Sequence, residues 1–489
     1  GPHAGNGRSA SAGGGHAHAG LLIYQGDNWP EEYRGKYFMN NIHGACINQD
    51  VLERKGSGFV GHHAPNLINF NDVWSQVINL QTGPDGAVYM IDWYDKNQCH
   101  HNDENGHDRS NGRIFKISYG ETKFEKVDLE KLTDEELVKL LASNNNWQAR
   151  HAQRRLHESS TEMTRSQSAR GNFVDGDRLI SDQMTAHYIA SQLVELLKTA
   201  QDKATRLRAL WTLHVVEDAH TPLKPFLNDA DEHIRAWVIQ FICEETSEQE
   251  VDGWPKVLDQ LKRLAREDKS PVVRLYLASA LQRLPLSDRW EILEALYAHS
   301  EDADDHNIPL MLWFAAEPLA ASNPARALKM AEATKLPNLL NFTARRVAAI
   351  GTPEAMAEIV KILVAASRQS AAISAGKNQP RSAEAQLRNT LEILNGLSTA
   401  LKGQRSAPMP NGWSDIEKTL GESANAEIRS QVQSLSLKFG SSSALASLKK
   451  TLMDESADVT ARRNALDSLL NAKDKTLAPL LQKLLSNAD

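Results

Sequence analysis

The sequence predicts a mainly α-helical protein that begins with a β-rich segment, and three observations support this division. Residues 1–120 contain short apolar runs bounded by turn residues, a pattern typical of β-strands. From about residue 127, apolar residues recur at helical spacing instead. A motif with one arginine then returns at roughly the period of two-helix repeats. We therefore predict β-sheets in residues 1–120 and an α-solenoid in residues 121–489.

The β-rich segment contains runs of β-branched and aromatic residues that are too short for helices. A strong turn, Gly83-Pro84-Asp85-Gly86, stands before one of them. The runs predict strands at residues 21–24, 36–39, 45–47, 77–80, 87–91 and 113–117. Six or seven strands of this length are enough for two stacked sheets or blades, which is little for an independent domain.

The repeated motif in the helical part is an acidic or polar turn, then an arginine, then an apolar helix face. Arg235 and Arg274 are 39 residues apart, and Arg429 and Arg463 are 34 apart, which are periods of HEAT-like hairpins. In the sharpest instance an aspartate and Pro271 precede Arg274, as expected for a capped first helical turn. We expect the arginine to bond an acid or carbonyl of the neighbouring repeat.

The repeats predict one continuous solenoid of eight or nine hairpins, because the motif continues to Arg462. Its first helix begins at Thr133-Asp134-Glu135-Glu136, which has the composition of a helix start. Two stretches interrupt the series. Residues 159–182 are polar and contain glycine, which predicts an insertion loop, and residues 369–384 are rich in alanine and serine, which predicts a linker.

Composition excludes several classes of function. The 62 acidic and 55 basic residues leave a net charge of −7, which argues against nucleic-acid binding. No run of about 18 apolar residues is present, so we predict no transmembrane span. The three cysteines show neither CxxC nor CxxCH spacing, so we expect no covalent haem. We also expect no signal peptide, because the first residues lack a charged and then apolar stretch.

The β-rich segment also contains the candidate catalytic and metal-binding residues. It contains 9 of the 17 histidines, and the cluster Asp92-Trp93-Tyr94-Asp95 follows a predicted strand. His16, His18 and His43 are candidate metal ligands. Imidazoles with carboxylates favour a zinc- or copper-type ion, whereas carboxylates with backbone carbonyls favour calcium.

Each of these residues also has a purely structural explanation. His16 and His18 could belong to a disordered end or bind metal adventitiously, and Trp93 and Tyr94 could be packing aromatics. The aspartates of the cluster could cap turns. Arg109 and Arg113 could form structural ion pairs with those aspartates.

Five segments of the β-rich part carry a family resemblance: residues 14–21, 24–35, 40–44, 83–95 and 108–114. They resemble the closing blades of the putative membrane-bound dehydrogenases of planctomycetes and verrucomicrobia. That family is similar to the quinoprotein glucose and sorbosone dehydrogenases, and it joins a β-propeller to HEAT repeats and often to a c-type cytochrome. Residues 307–314 and 317–319 resemble its HEAT region.

The resemblance implies that residues 1–120 are the last blades of a partial β-propeller and that upstream blades lie elsewhere or on a partner chain. It implies catalytic roles for His43, Asp92, Asp95 and Arg109, and cofactor contacts from Trp93, Tyr94 and Arg113. Pyrroloquinoline quinone and calcium would be the cofactors of a complete propeller, a c-type cytochrome the partner, and the periplasm or another extracytoplasmic space the location.

Two hypotheses follow. In the first, the chain is the C-terminal part of a dehydrogenase that oxidises a sugar or alcohol, and it is inactive alone because about two blades cannot close a propeller. In the second, the chain is a HEAT-repeat scaffold that binds protein partners without catalysis, and the β-rich segment caps one end of the solenoid.

Overall fold

The computed structural model describes residues 18–97, 104–122, 126–169, 176–216, 223–244, 253–374, 380–472, 474 and 476–486, without the side chains of 104, 161–186, 368–383, 471 and 486. The chain divides into two compact units, Gly1–Asp252 and Gly253–Asp489. The first unit contains the β-rich segment and the first helices. The prediction of a single continuous solenoid through both units stays a prediction.

The β-rich segment forms two antiparallel sheets. A four-stranded sheet has the order β1-β2-β3-β4, with strands His18–Ile23, Tyr37–Asn41, Cys46–Lys55 and Gly58–Asn69. A three-stranded sheet has the order β5-β6-β7, with strands Val77–Thr82, Val88–Asp92 and Arg113–Ile117. The two predicted sheets are therefore present, whereas a closed propeller is not shown.

One apolar core joins the two sheets. Phe38 and Ile47 of the first sheet and Val77 and Val88 of the second are all fully buried in it. The sheets approach closely at Gly20, which has a φ of +61°, because a Cβ there would stand 2.7 Å from the Cα of Asn79. A side chain at this position would thus push β1 away from β5.

Strand β4 is missing from the strands predicted above. Its residues Gly58–Asn69 include two glycines, two histidines and a proline, and most of its side chains are exposed or half-buried. The apolar alternation that marks a strand is absent, so only its pairing with β3 identifies it.

The helices of the first unit pair into hairpins. They are α1 Asp134–Leu140, α2 Asn146–Ala169, α3 Gly176–Thr199, α4 Lys203–Val216 and α5 Glu232–Glu244. Helix α1 packs on α2 and α3 on α4, and α5 packs on a 3₁₀ helix at Lys224–Asn228. The predicted start of the first helix is confirmed, because Thr133 and Glu136 form a capping box.

The second unit continues the same pattern. Its helices are α6 Trp254–Glu267, α7 Pro271–Ala280, α8 Leu286–Tyr297, α9 Ile308–Ser322, α10 Pro324–Ala333, α11 Leu339–Ala348, α12 Pro353–Ser374, α13 Pro380–Ala400, α14 Trp413–Leu420, α15 Ala426–Lys438, α16 Ser442–Met453, α17 Val459–Asn471 and α18 Leu477–Ser486. From α6 to α15, the first helices of successive hairpins pack side by side, and so do the second helices. This two-layer stacking is the arrangement of a helical repeat array.

In these hairpins, the arginine of the repeat motif forms a recurring hydrogen bond. Three of its arginines donate a hydrogen bond to the backbone carbonyl six residues earlier: Arg235 to Asp229, Arg274 to Asp268 and Arg429 to Ser423. The N-cap residue lies four residues before each arginine: Asp231, Ser270 and Asn425. The motif thus closes the turn inside a hairpin and starts its second helix.

The predicted bond to the neighbouring repeat is confirmed at Arg274. Its guanidinium forms two hydrogen bonds of 2.6 Å with the carboxylate of Asp302, which lies in the turn of the following hairpin. Both side chains are buried, at 3% and 4% exposure. In the first unit, Arg206 reaches Asp229 in the same way, from α4 to the turn before α5.

Two loop predictions need correction. The stretch 159–182, predicted as an insertion loop, is helical at 159–169 in α2 and at 176–182 in α3. The stretch 369–384, predicted as a linker, is helical at 369–374 in α12 and at 380–384 in α13. Both predictions relied on polarity and small residues, but arginine, glutamine, methionine and alanine are good helix formers.

Candidate functional site

Asp92, a predicted catalytic residue, lies at the end of β6 and is fully buried. Its carboxylate accepts hydrogen bonds from the Ser75 hydroxyl, the backbone N–H groups of Gln76 and Tyr94, and the guanidinium of Arg113. Donors from the residues before β5, from the loop after β6 and from β7 therefore converge on one carboxylate. This geometry positions the strand ends and supports the turn-capping explanation of Asp92.

Arg113, a predicted cofactor contact, lies opposite Asp92 on β7. Its Nη2 is 2.6 Å from the Asp92 carboxylate, and its guanidinium carbon is 3.6 Å from the centroid of the Tyr94 ring. Burial lowers the pKa of Arg113, but the hydrogen bonds and negative charges of Asp92 and Asp72 raise it above its ordinary value overall. The structural explanation of Arg113 as an ion-pair partner is thus realised.

Tyr94 and Trp93 form the exposed side of this network. Tyr94 has a φ of +40°, which is unusual for a residue with a side chain, and its ring packs 5.6 Å from that of Trp74. Trp93 is 43% exposed. Of these two residues predicted to contact a cofactor, Tyr94 therefore lies beside Arg113, and Trp93 is exposed at the surface.

Asp95 lies on the same loop and pairs with His107, whose Nδ1 is 3.0 Å from the carboxylate. Burial raises the pKa of Asp95, but hydrogen bonds from the N–H of Asp108, from His107 and from the N–H of Asn97 lower it below its ordinary value overall. Gln76 connects this pair to Asp92. Its backbone N–H donates a hydrogen bond to the Asp92 carboxylate, and its side-chain amide donates one to the backbone carbonyl of Asp95.

The network contains residues that sequence reasoning did not select. Ser75 and Gln76 carry no sequence signal, since single polar residues before a strand are common. His107 is one of the nine histidines of the β-rich segment, but only the fold brings it to Asp95. Arg109, predicted to be catalytic, is exposed and forms no ion pair with a described residue.

The candidate metal ligands occupy a different part of the segment. His18 begins β1, where its Nε2 is 3.0 Å from the side-chain oxygen of Asn48 and 3.4 Å from the amide nitrogen of Asn41. His43 is buried in the turn between β2 and β3. His16 lies outside the described residues. Within the described residues, no group of three histidine, cysteine, aspartate or glutamate side chains could hold a metal ion, and the site with His16 stays a prediction.

A second candidate surface lies on the second helices of two hairpins. Leu310 and Phe314, one turn apart on α9, are 49% and 48% exposed. Between them along the helix, Trp313 is half-buried and its ring centroid is 5.3 Å from that of Phe342 on α11. We call Leu310, Trp313, Phe314 and Phe342 the α9–α11 patch.

Charged residues border the α9–α11 patch. Glu317, one turn after Trp313, forms an ion pair with Arg346 of α11. Arg345 is exposed and has no described carboxylate within ion-pair distance. Of these three charged residues, Arg345 is the one without a described ion-pair partner.

Comparisons with known proteins agree with this architecture in part. A model for a domain of unknown function (DUF7133) matches residues 4–121, and a model for HEAT repeats matches residues 190–282. No curated protein matches the chain. Neither family model is that of a quinoprotein dehydrogenase, so the propeller resemblance gains no support here.

Similar solved structures include the crystal structure of Kap121p, with 12% identity and a TM-score of 0.35 over 72% of this chain. Another is a homology model of the full-length AP-3 complex in an intermediate open conformation, with 13% identity and a TM-score of 0.25 over 73% of each chain. The chain covers 43% of the Kap121p chain.

The chain is thus a mainly helical protein with two small antiparallel sheets and HEAT repeats. The HEAT-repeat prediction is confirmed for residues 190–282. Among the described helices, none combines the length and the apolar character needed to cross a lipid bilayer.

Proposed function

We propose that the helical part of this chain is a scaffold that binds a partner protein through the α9–α11 patch. The observation that carries the proposal is the exposure of Leu310 and Phe314 on adjacent turns of one repeat helix. Large apolar side chains placed together at a surface mark binding sites more often than scattered ones do. Helical repeat arrays present such helices to partners in series.

The partner that fits is an amphipathic helix with two apolar residues one turn apart and an acidic residue beside them. Leu310 and Phe314 supply the apolar contact, and the adjoining rings of Trp313 and Phe342 supply a rigid aromatic wall. Arg345, exposed on α11 without a described ion-pair partner, supplies the charge that selects an acidic residue.

Phe314→Asp is expected to weaken the binding of such helices at least tenfold, since it places a carboxylate in the apolar centre of the site. The test selects helical peptides against the purified chain from a display library and measures the affinity of those enriched. Enriched sequences should combine apolar residues at i and i+4 with an acidic neighbour, and Arg345→Glu should weaken their binding too.

Leu286→Asp is the matched control, because Leu286 on α8 is similarly exposed, at 40%, but lies on a first helix of its hairpin. It should leave peptide affinity unchanged. Equal loss in the two aspartate variants, equal retention in both, or a selection that enriches basic peptides would each contradict the proposal. Circular dichroism establishes that all variants remain helical.

As a second function, we propose the oxidation of a sugar or alcohol by a complete propeller, rather than by this chain alone. It is supported by the family resemblance of residues 14–118 and by the acidic and aromatic loop after β6. In this proposal, pyrroloquinoline quinone and calcium bind the propeller, electrons pass to a c-type cytochrome, and the protein works outside the cytoplasm. Upstream blades or a partner chain would complete the ring.

The chain alone is expected to give no dye reduction with sugars or alcohols when quinone and calcium are added. Two sheets cannot enclose the central channel in which a propeller holds its cofactor. Dye reduction by the purified chain above a protein-free background would show that the reaction does not need further blades.

A further inference from the structure

A cavity of about 630 Å³ lies within the first unit, between the first turns of α2 and strands β1 and β5. The N-terminus of α2 is fixed against the sheets by two hydrogen bonds. The N–H of Asn146 donates to the carbonyl of Gln25 at 3.0 Å, and the side chain of Asn145 donates to the carbonyl of Pro84 at 2.8 Å. The walls of the cavity are therefore held by the fold itself.

The helical wall of the cavity is basic. Arg150, His151, Arg154 and His157 line it from α2, and no aspartate or glutamate is among its lining residues. This distribution contrasts with the net charge of −7 of the whole chain. Because lost hydration of an anion must be replaced by donors or positive charge, such a lining favours an anionic occupant.

The two arginines differ in whether a nearby carboxylate neutralises their charge. Arg154 forms an ion pair with Glu158, whose Oε1 lies 2.7 Å from the Arg154 Nε, and Glu158 does not line the cavity. Arg150 is exposed and has no described carboxylate within ion-pair distance. A solvated helix face is the ordinary explanation of exposed arginines, but here Arg150 and Arg154 stand one turn apart and both line the same half-open cavity.

His151 and Trp147 add an oriented polar group and a flat apolar surface. The Nδ1 of His151 is 2.8 Å from the carbonyl of Trp147, so this nitrogen carries a proton and Nε2 is directed away from the bond. The rings of His151 and Trp147 are stacked, with their centroids 3.9 Å apart. The opposite wall contributes Leu21 and Ile23, which are 60% and 41% exposed.

We propose that this cavity binds a small anionic ligand, a phosphate or carboxylate group attached to a planar apolar body. Arg150 and Arg154 bind the anion with charge-assisted hydrogen bonds. The apolar body packs between Trp147 and the side chains of Leu21 and Ile23. This site is independent of the α9–α11 patch, which belongs to the other unit.

The test titrates the full chain with phenyl phosphate, benzoate and neutral benzamide by calorimetry. Both anions should bind saturably, and benzamide should not. A ligand of this size is expected to have a Kd in the millimolar range, so titration to about 20 mM is sufficient. Tighter binding of phenyl phosphate identifies a phosphate ligand, and tighter binding of benzoate a carboxylate ligand.

Arg150→Gln should weaken anion binding about tenfold, because one charge-assisted hydrogen bond is lost. Arg388→Gln is the control, since it removes the same charge at an exposed position of α13 in the other unit. No saturable binding of either anion, equal binding of benzamide, or equal affinities of the two variants would overturn the proposal. Unchanged thermal unfolding of Arg150→Gln separates lost binding from lost structure.

Discussion

Arg274→Ala is expected to lower the free energy of unfolding of the second unit by about 3–5 kcal/mol. The substitution removes a guanidinium that forms two hydrogen bonds of 2.6 Å with Asp302. It leaves the Asp302 carboxylate buried at 4% exposure without its cation, and it also removes the bond to the Asp268 carbonyl. The loss of helix signal in urea, followed by circular dichroism, measures the effect.

Lys262→Ala is the comparison, because it also removes one positive charge from a neighbouring helix. Lys262 is half-buried and lies 3.1 Å from the carboxylate of Glu291. Glu291 is 59% exposed, so the pair is partly screened by water and its loss should cost about 0–1 kcal/mol. Equal unfolding midpoints for the two variants would show that the Arg274–Asp302 pair does not join the hairpins.

Asp92→Ala is expected to destabilise the β-rich segment by a similar amount, about 3–5 kcal/mol. The Asp92 carboxylate is the common acceptor for Ser75, Gln76, Tyr94 and Arg113, and it has no exposed surface. Alanine would leave the N–H of Gln76 and the guanidinium of Arg113 without that acceptor. Tryptophan fluorescence during urea unfolding detects the change, because Trp29 lies in the core of this segment.

Asp108→Ala is the control for this prediction. Asp108 follows the same loop, and its carboxylate accepts only local bonds from Ser110 and Asn111 in the described structure. Such surface bonds should cost less than about 1 kcal/mol. If Asp92→Ala unfolded at the same urea concentration as Asp108→Ala, Asp92 would not be a structural residue, and its predicted catalytic role would regain weight.

The contacts behind the two large effects were predictable from the sequence to different extents. The arginine motif predicted a bond between repeats, since its spacing was regular and its chemistry requires an acceptor. The identity of that acceptor, Asp302, was not predictable from the motif. Its position depends on how α9 packs beside α7, and the contact joins two residues that are 28 positions apart in the sequence.

The candidate site in the β-rich segment shows the same limit. Sequence reasoning selected Asp92, Tyr94, Asp95 and Arg113, and the structure brings them into one network. It did not select Gln76, although this residue bonds both aspartates. A lone glutamine has no distinguishing pattern, and only strand pairing between β5 and β6 places it there.

By itself, the sequence determined the local features of this protein. Helical periodicity, N-cap residues and a recurring arginine specify two-helix repeats, because these signals act within one hairpin. Short β-branched runs likewise specify six of the seven described strands. Polarity was a poor guide to structure at 159–182 and 369–384, since a helix needs favourable backbone propensity and not an apolar face alone.

Only the tertiary structure decided which of these features meet. The pairing of β4 with β3, the Arg274–Asp302 bond, the α9–α11 patch and the basic cavity beside α2 all join residues that are distant in sequence or exposed by their neighbours' packing. Burial and charge neutralisation are properties of such contacts. A pattern along the chain carries no information on which side chains remain exposed after the helices and sheets have packed.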